Sequence, residues 1–242
     1  MEIKDEFFRV EVISRTPYPQ TAIWFALHQD YSEDFVYDQT PPSEEKAGEV
    51  AVKRLLDGKR GHWGCCEHPQ IIFNVGYYPH SVMQQARTHR EGISFDVQSC
   101  RYSGQRFIDV AEGKRSIESV FYLRPVGYYH DRFGHKYLYS EEQREEHLGE
   151  CYDAACRYKR DVDAGLSPEH ARSMIPFDFR QHFVVSMNMR SLAHFLLIRG
   201  KKDAQLEIQQ LAWLMLPHFK DWAPQVYDWF MENEWLKGFL AP

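Results

Sequence analysis

One apolar stretch, FVVSMNMRSLAHFLLIR over residues 183–199, constrains this chain more than any other feature. It stops at Gly200, a residue suited to ending a helix. Read as one helix from Ser186 to Arg199, it separates Asn188 and Arg199 by eleven residues, roughly 16 Å along the axis. Eleven steps of ~100° nearly close three turns, so the two side chains point the same way, on a face shared with Leu192 and Phe195. An amide and a guanidinium on an apolar stripe need partners, because unpaired burial costs several kcal/mol. Either a nearby carboxylate supplies them, or a ligand with hydrogen-bonding edges and negative charge, such as a nucleotide or flavin.

The remaining pattern puts strands early and helices late. Residues 7–14 (FFRVEVIS) read as a strand, ended by Pro17 and Pro19. Residues 43–57 read as a helix with Ser43 as N-cap, acidic residues in the first turn and Gly58 after the end. A polar and aromatic loop, residues 61–69 (GHWGCCEHP), leads into a strand at residues 70–78 and a helix-like segment at residues 81–89. Residues 92–98 (GISFDVQ) read as a loop, and residues 121–126 as a short strand or edge element. Leu148, Cys151, Ala155 and Tyr158 at helical spacing predict an amphipathic helix over residues 140–164. Asp203 is placed to cap a further helix over residues 204–219. This order predicts an α+β or mixed α/β fold in a single domain spanning residues 1–242.

Several classes are disfavoured. The net charge of -6 runs against a general nucleic-acid binder. Five cysteines with one adjacent pair, Cys65 and Cys66, make a poor disulfide framework. No apolar stretch approaches ~18 residues, and no basic segment followed by an apolar one opens the chain. The expectation is a cytoplasmic protein without a membrane span.

Three constellations carry chemistry. Arg87, Thr88, His89 and Arg90 precede Ser99, Cys100, Arg101 and Tyr102. Arg87, Arg90 and Arg101 can fork onto phosphate oxygens; the same residues could form a solvated charged turn. Asn188 and Arg199 are the second. His62, Glu67 and His68 are the third. They invite a metal reading, but no HExxH pattern accompanies them, and a polar loop bordering a cofactor is the expectation, with no metal.

These residues carry a resemblance. The run THREGISFDVQSCRY (residues 88–102) is similar to the signature of the flavin-dependent thymidylate synthases: RHR, about seven residues, Ser, then xRY. His62, Glu67 and His68 resemble the family's histidine loop. Arg172 to Pro176, then Met187, Asn188, Arg190 and Leu192, then Arg199, then Gln205, Glu207 and Gln209 follow in family order. Thr88 stands where the signature has its first arginine, with Arg87 just before it. The gap to Ser99 is eight residues, and Pro69 is inserted after His68.

The resemblance implies a central, mostly antiparallel sheet packed by helices, in a homotetramer whose active sites are shared between chains. It implies methylation of dUMP to dTMP with FAD, NADPH and 5,10-methylenetetrahydrofolate. His62, Gly64, Thr88, His89, Arg90, Gln98, Asn188, Arg190 and His194 would hold the flavin, with Ser32 a further candidate. Gln85, Arg87, Thr88, Gln98, Ser99, Cys100, Arg101, Arg172 and Arg199 would bind dUMP. Arg199 would be catalytic, stabilising charge on the pyrimidine. Ser99 lacks a His/Asp pairing to activate it, so it reads as a binding residue. A flavoprotein NAD(P)H reductase on a related scaffold, or a nucleotide- or RNA-binding protein, remains the alternative from the residues alone.

Overall fold

A computed structural model describes residues 5–131 and 133–236. Its main sheet has four strands in the order β1 (Arg9–Arg15), β2 (Gln70–Pro79), β6 (Arg180–Asn188), β3 (Ile93–Val97). All neighbours are antiparallel. Thr16 N donates to Gln70 O while Phe8 stacks on Tyr78, so β1 and β2 run in opposite directions. His80 N donates to Phe179 O at one end of the β2–β6 pair and Met189 N to Pro69 O at the other. Gln98 N donates to His182 O and Asn188 N to Gly92 O, which sets β3 against β6. A second, two-stranded sheet pairs β4 (Gly127–His130) with β5 (Lys136–Tyr139), Gly127 opposite Tyr139. The fold is mixed α and β, with an antiparallel sheet and helices.

By contacts the chain divides into two compact units. The first takes residues up to 9, 75–88 and 96–183. It contains α3 (His80–Ala86), α4 (Gln105–Ala111), α5 (Glu141–Asp163) and α6 (Pro168–Ala171). Phe107, Val110, Phe121, Ala155 and Tyr158 form its core. The predicted helix over residues 140–164 is α5. Ser140 accepts from Gln143 N, and the Gln143 side chain accepts from Ser140 N, a reciprocal cap at the start of a charge-rich helix.

The second unit takes residues 10–74, 89–95 and 184 onward. It holds α1 (Pro19–Gln29), α2 (Glu44–Ala51), α7 (Met189–Arg199), α8 (Leu206–Trp222) and α9 (Pro224–Asn233). Ser43 caps α2 by accepting from Lys46 N, and a π-helical turn, Val52–Leu56, extends it. Leu192, Phe195 and Leu196 of α7 are buried, as are Ile208, Leu211 and Met215 of α8.

Four readings of the sequence change. The apolar stretch 183–199 is half strand and half helix. Phe183, Val185 and Met187 are buried at period two in β6, and the helix begins only at Met189. Pairing on both sides with β2 and β3 decides for extended backbone over a segment that includes Val184 and Val185. Asn188 therefore ends a strand and caps α7, and does not sit one helical face above Arg199. Gly200 follows the last helical residue as the C-cap, as expected, in the right-handed region, and a Cβ there would stand 2.0 Å from the Trp235 ring. Residues 93–97 form a strand, not a loop. Residues 121–126 contribute only one bridge, Phe121 to Phe179. The helix expected from Asp203 starts at Leu206 with Gln205 as its N-cap.

Candidate nucleotide and flavin site

In the first unit, α3 ends at Arg87, which is its C-cap. The Thr88 hydroxyl donates to Gln85 O at 2.7 Å and closes this end. Gln85 is half-buried, whereas Arg87 is exposed: its backbone N–H donates to Met83 O, and its side chain makes no hydrogen bond or ion pair to another described residue. The loop that carries Ser99, Cys100 and Arg101 begins where β3 ends. Gln98 is held on three sides: its N–H donates to His182 O at 2.9 Å, its carbonyl accepts from Gln181 Nε2 at 2.8 Å, and its Oε1 accepts from Arg106 Nη1 at 2.9 Å.

Beyond Gln98 the chain turns. Ser99 Oγ accepts from Arg101 N, and Ser99 O accepts from Tyr102 N and from the Ser103 hydroxyl. This tight turn buries Cys100 and sends Arg101 outward, where it meets Glu169 at 3.1 Å. Glu169 is held below the usual carboxylate range by its own backbone N–H, with Arg101 and Arg172 contributing against desolvation. Arg172, in the 3-10 turn Arg172–Met174, is exposed. Within this unit Arg87, Arg101 and Arg172 thus present solvent-facing guanidinium groups, the donor chemistry a phosphate needs.

In the second unit, Arg199 closes α7 and donates its Nε–H to His89 Nε2 at 2.9 Å. Burial, then the Arg199 and His194 charges, push His89 down to about 4. The imidazole packs edge-on against Phe195 and His194. Arg90 is exposed and makes no hydrogen bond or ion pair to another described residue. Arg190 pairs with Glu67 at 2.5 Å. His194 is exposed on α7. Asn188 is buried: its Oδ1 accepts from Ser191 N at 2.8 Å, and its amide lies against Gly92.

His62 and Gly64 sit on the 3-10 turn Trp63–Glu67 and its lead-in, and line an open pocket of ≈ 750 Å³ with Ala22, Phe25, Asp30 and His68. A Cβ on Gly64 would meet nothing within 4 Å. Ser32 Oγ donates to Asp34 O and accepts from Gln39. Among the described residues no cluster of three or more His, Cys, Asp or Glu is placed to hold a metal ion.

The first unit therefore carries Gln85, Arg87 and Thr88 at the end of α3, Gln98 to Arg101 in the turn after β3 with Cys100 buried, and Arg172 in a 3-10 turn. The second brings together His89 with Arg199 and His194, and His62 with Gly64. Sequence reasoning missed Arg106, His80 and Gln181, which support the loop at Gln98 from behind. The contacts of Arg106 to Arg180 O, of Gln181 to Gln98 and of His80 to Gln181 join residues distant along the chain, and no local spacing points to them. His80 Nδ1 lies 2.6 Å from Gln181 Oε1, so the support reaches back to the first turn of α3.

Comparison with known proteins gives consistent matches. A family model described as thymidylate synthase complementing protein matches residues 11–225. The flavin-dependent thymidylate synthase of Haloarcula marismortui is 32% identical, covering 96% of this chain and 99% of the relative. That of Halobacterium salinarum is 30% identical over 97% of this chain and 100% of the relative. Among solved structures, a UMP/dUMP methylase from Streptomyces cacaoi bound with 5-Br dUMP superposes with a TM-score of 0.69 at 20% identity, covering 94% of this chain and 96% of that one. At that identity the likeness is one of fold.

Proposed function

This chain belongs to the thymidylate synthase complementing protein family, whose relatives are flavin-dependent thymidylate synthases, and we propose that it methylates dUMP to dTMP using FAD, NADPH and 5,10-methylenetetrahydrofolate. One observation carries the reading: the family match, residues 11–225, contains every residue from His62 to Arg199 that the two units present for binding. The fold neighbour bound with a brominated dUMP supports a pyrimidine nucleotide as substrate. A homotetramer in the cytoplasm, with active sites shared between chains, belongs to the same proposal. Among the described residues no helix is long and apolar enough to cross a membrane.

The residues present fit a flavin dinucleotide. The pocket beside Gly64 has an apolar wall in Ala22 and Phe25, and its glycine leaves open space. His89, Arg90, Arg190 and His194 are donors suited to pyrophosphate and ring edges. When bound, the reduced flavin supplies the hydride that completes the methyl group, with NADPH as electron source and the folate as carbon source.

Arg199 acts on the pyrimidine. Uracil is a poor nucleophile at C5, and negative charge held at N3 and O4 raises electron density there. A fixed guanidinium in a partly dry site does this electrostatically. His89 keeps that guanidinium aimed by accepting its Nε–H, which the ring can do only while Nε2 is unprotonated. A value of about 4 keeps it so at neutral pH. Arg87, Arg101 and Arg172 take the phosphate. Ser99 shapes the turn and binds; its Oγ already accepts from Arg101 N.

The test is NADPH oxidation by the FAD-supplemented protein under air, with and without dUMP. Strong acceleration by dUMP, followed by dTMP formation once methylenetetrahydrofolate is added, is the expected result. Flavin binding with no response to dUMP would leave a reductase and remove the roles given to Arg172 and Arg199.

A further inference from the structure

We infer that Arg106 is a positioning residue for the pyrimidine nucleotide: a buried guanidinium without a carboxylate partner that sets the Gln98–Cys100 segment on which dUMP rests. The inference rests on the reading of this loop as the nucleotide site.

Arg106 lies in α4 and is 8% exposed. Its Nη1 donates to Gln98 Oε1 at 2.9 Å and to Arg180 O at 2.6 Å. Its Nη2 donates to Cys100 Sγ at 3.6 Å. Its Nε is buried and makes no hydrogen bond. The guanidinium carbon stands 5.0 Å from the Phe107 ring centre and 5.4 Å from that of Phe179. No Asp or Glu among the described residues pairs with it.

The same unit shows the ordinary solution to burying an arginine. Arg180, 2% exposed, pairs with Asp5 at 2.6 Å and donates to the carbonyls of Glu118 and Tyr77. Buried charges are normally paired in this way, because desolvation is costly. Arg106 instead spends its donors on neutral acceptors, and two of the three belong to residues that the family resemblance assigns to dUMP. A nucleotide phosphate on Ser99 and Arg101 would place an anion near a buried guanidinium that pairs with no described carboxylate. Burial pushes the Arg106 guanidinium below its ordinary value, with Cys100 opposing that shift.

Only an arginine suits the position. Gln98 Oε1, Arg180 O and Cys100 Sγ are met by two nitrogens of one planar fork, and a lysine offers a single point of donation. With Gln98 N on His182 O and Gln98 O on Gln181 Nε2, the entry to the loop is fixed before any ligand arrives.

The test uses full-length, FAD-loaded protein carrying Arg106→Met or Arg106→Lys, read as KM for dUMP, kcat, flavin content and melting temperature. Arg106→Met should raise KM for dUMP at least tenfold with flavin content retained, and Arg106→Lys should recover part of that loss. A folded Arg106→Met protein with a wild-type KM overturns the inference. So does a loss confined to melting temperature and flavin content, the pattern of a purely structural arginine. If Arg106→Met does not fold, Arg106→Lys decides: a wild-type KM overturns the inference and a raised KM supports it. A wild-type enzyme indifferent to dUMP would instead sink the thymidylate reading itself.

Discussion

Arg199 donates its Nε–H to His89 Nε2 across 2.9 Å, tying the last residue of α7 to the segment that precedes β3. The contact settles two things at once. It assigns His89 the tautomer with its proton on Nδ1, and it holds one edge of the guanidinium in place. Arg199→Ala should therefore retain flavin and lose thymidylate formation by a barrier of roughly 3 kcal/mol, the size of one lost charge-stabilising donor. Single-turnover dTMP formation in the flavin-loaded variant is the measurement. Turnover equal to wild type would remove Arg199 from the chemistry.

His89 should titrate near 4, read from its ring Cε1–H signal across a pH series. The sign follows from the folded value lying below the ordinary 6.5. Between those two values the unfolded chain takes up a proton that the folded chain refuses, so stability falls as pH drops through that window and levels off below about 4. Partial exposure of the ring keeps the loss below ~1.4 kcal/mol per pKa unit. Arg199→Ala should move the midpoint up only part of the way, because burial is the largest cause and His194 remains. A midpoint near 6.5 in the wild-type protein would show that neither burial nor the Arg199 and His194 charges act on the ring as the structure implies.

Asn188 caps α7, and its amide fills the space above Gly92, which has φ +66°. Asn188→Ala should cost ~1 kcal/mol from the lost cap, about 2–4 °C in melting temperature for a chain of this size. Asn188→Asp keeps the capping oxygen and should lose less. Gly92→Ala should be worse than either, since its Cβ would stand 2.1 Å from Asn188 Nδ2 on a backbone already in the left-handed region. Thermal melts of the three variants give the order; an Asn188→Ala protein as stable as wild type would reduce the residue to a ligand contact.

Asn188 also marks where sequence reading stopped working. A continuous apolar stretch looks alike as a buried strand or a buried helix, and only the hydrogen bonds to β2 and β3 separate the two. The amide that starts the helix was visible, but its capping role was hidden by treating the strand before it as helix. The α1 helix was missed for a related reason. Pro17 and Pro19 read as a break, whereas Pro19 is the first residue of the helix and Tyr18 before it takes φ 51°. Ser43 was legible because a cap is decided within four residues. Arg106 was not, because its partner Arg180 O lies 74 residues away. Gln181 and Gln98 are likewise separated by 83 residues.

Arg190 and Glu67 form an exposed pair at 2.5 Å, each side chain about half accessible. Such pairs contribute ~0.2–1 kcal/mol, so stability gives this one little reason to exist. Glu67→Gln should leave the melting temperature within a degree or two while releasing Arg190 for the flavin, tightening FAD binding a few-fold. Arg190→Ala should weaken FAD binding at a similar melting temperature. Fluorescence titration with FAD compares them, and equal affinity in both variants would leave Arg190 as a surface charge alone.

Thr88 occupies the place of the signature's first arginine, and its hydroxyl donates to Gln85 O at 2.7 Å to close α3. Replacing it by arginine removes one exposed hydrogen bond, a loss of ~1 kcal/mol at most. It also puts a third guanidinium among four consecutive residues, beside Arg87 and Arg90. Their mutual repulsion is screened at ordinary salt and would be relieved by a bound phosphate. Thr88→Arg should therefore bind FAD more tightly at low ionic strength, with the gain shrinking as salt rises, and leave KM for dUMP unchanged. A tighter dUMP site with no change in flavin affinity would move this position from the flavin phosphate to the nucleotide phosphate.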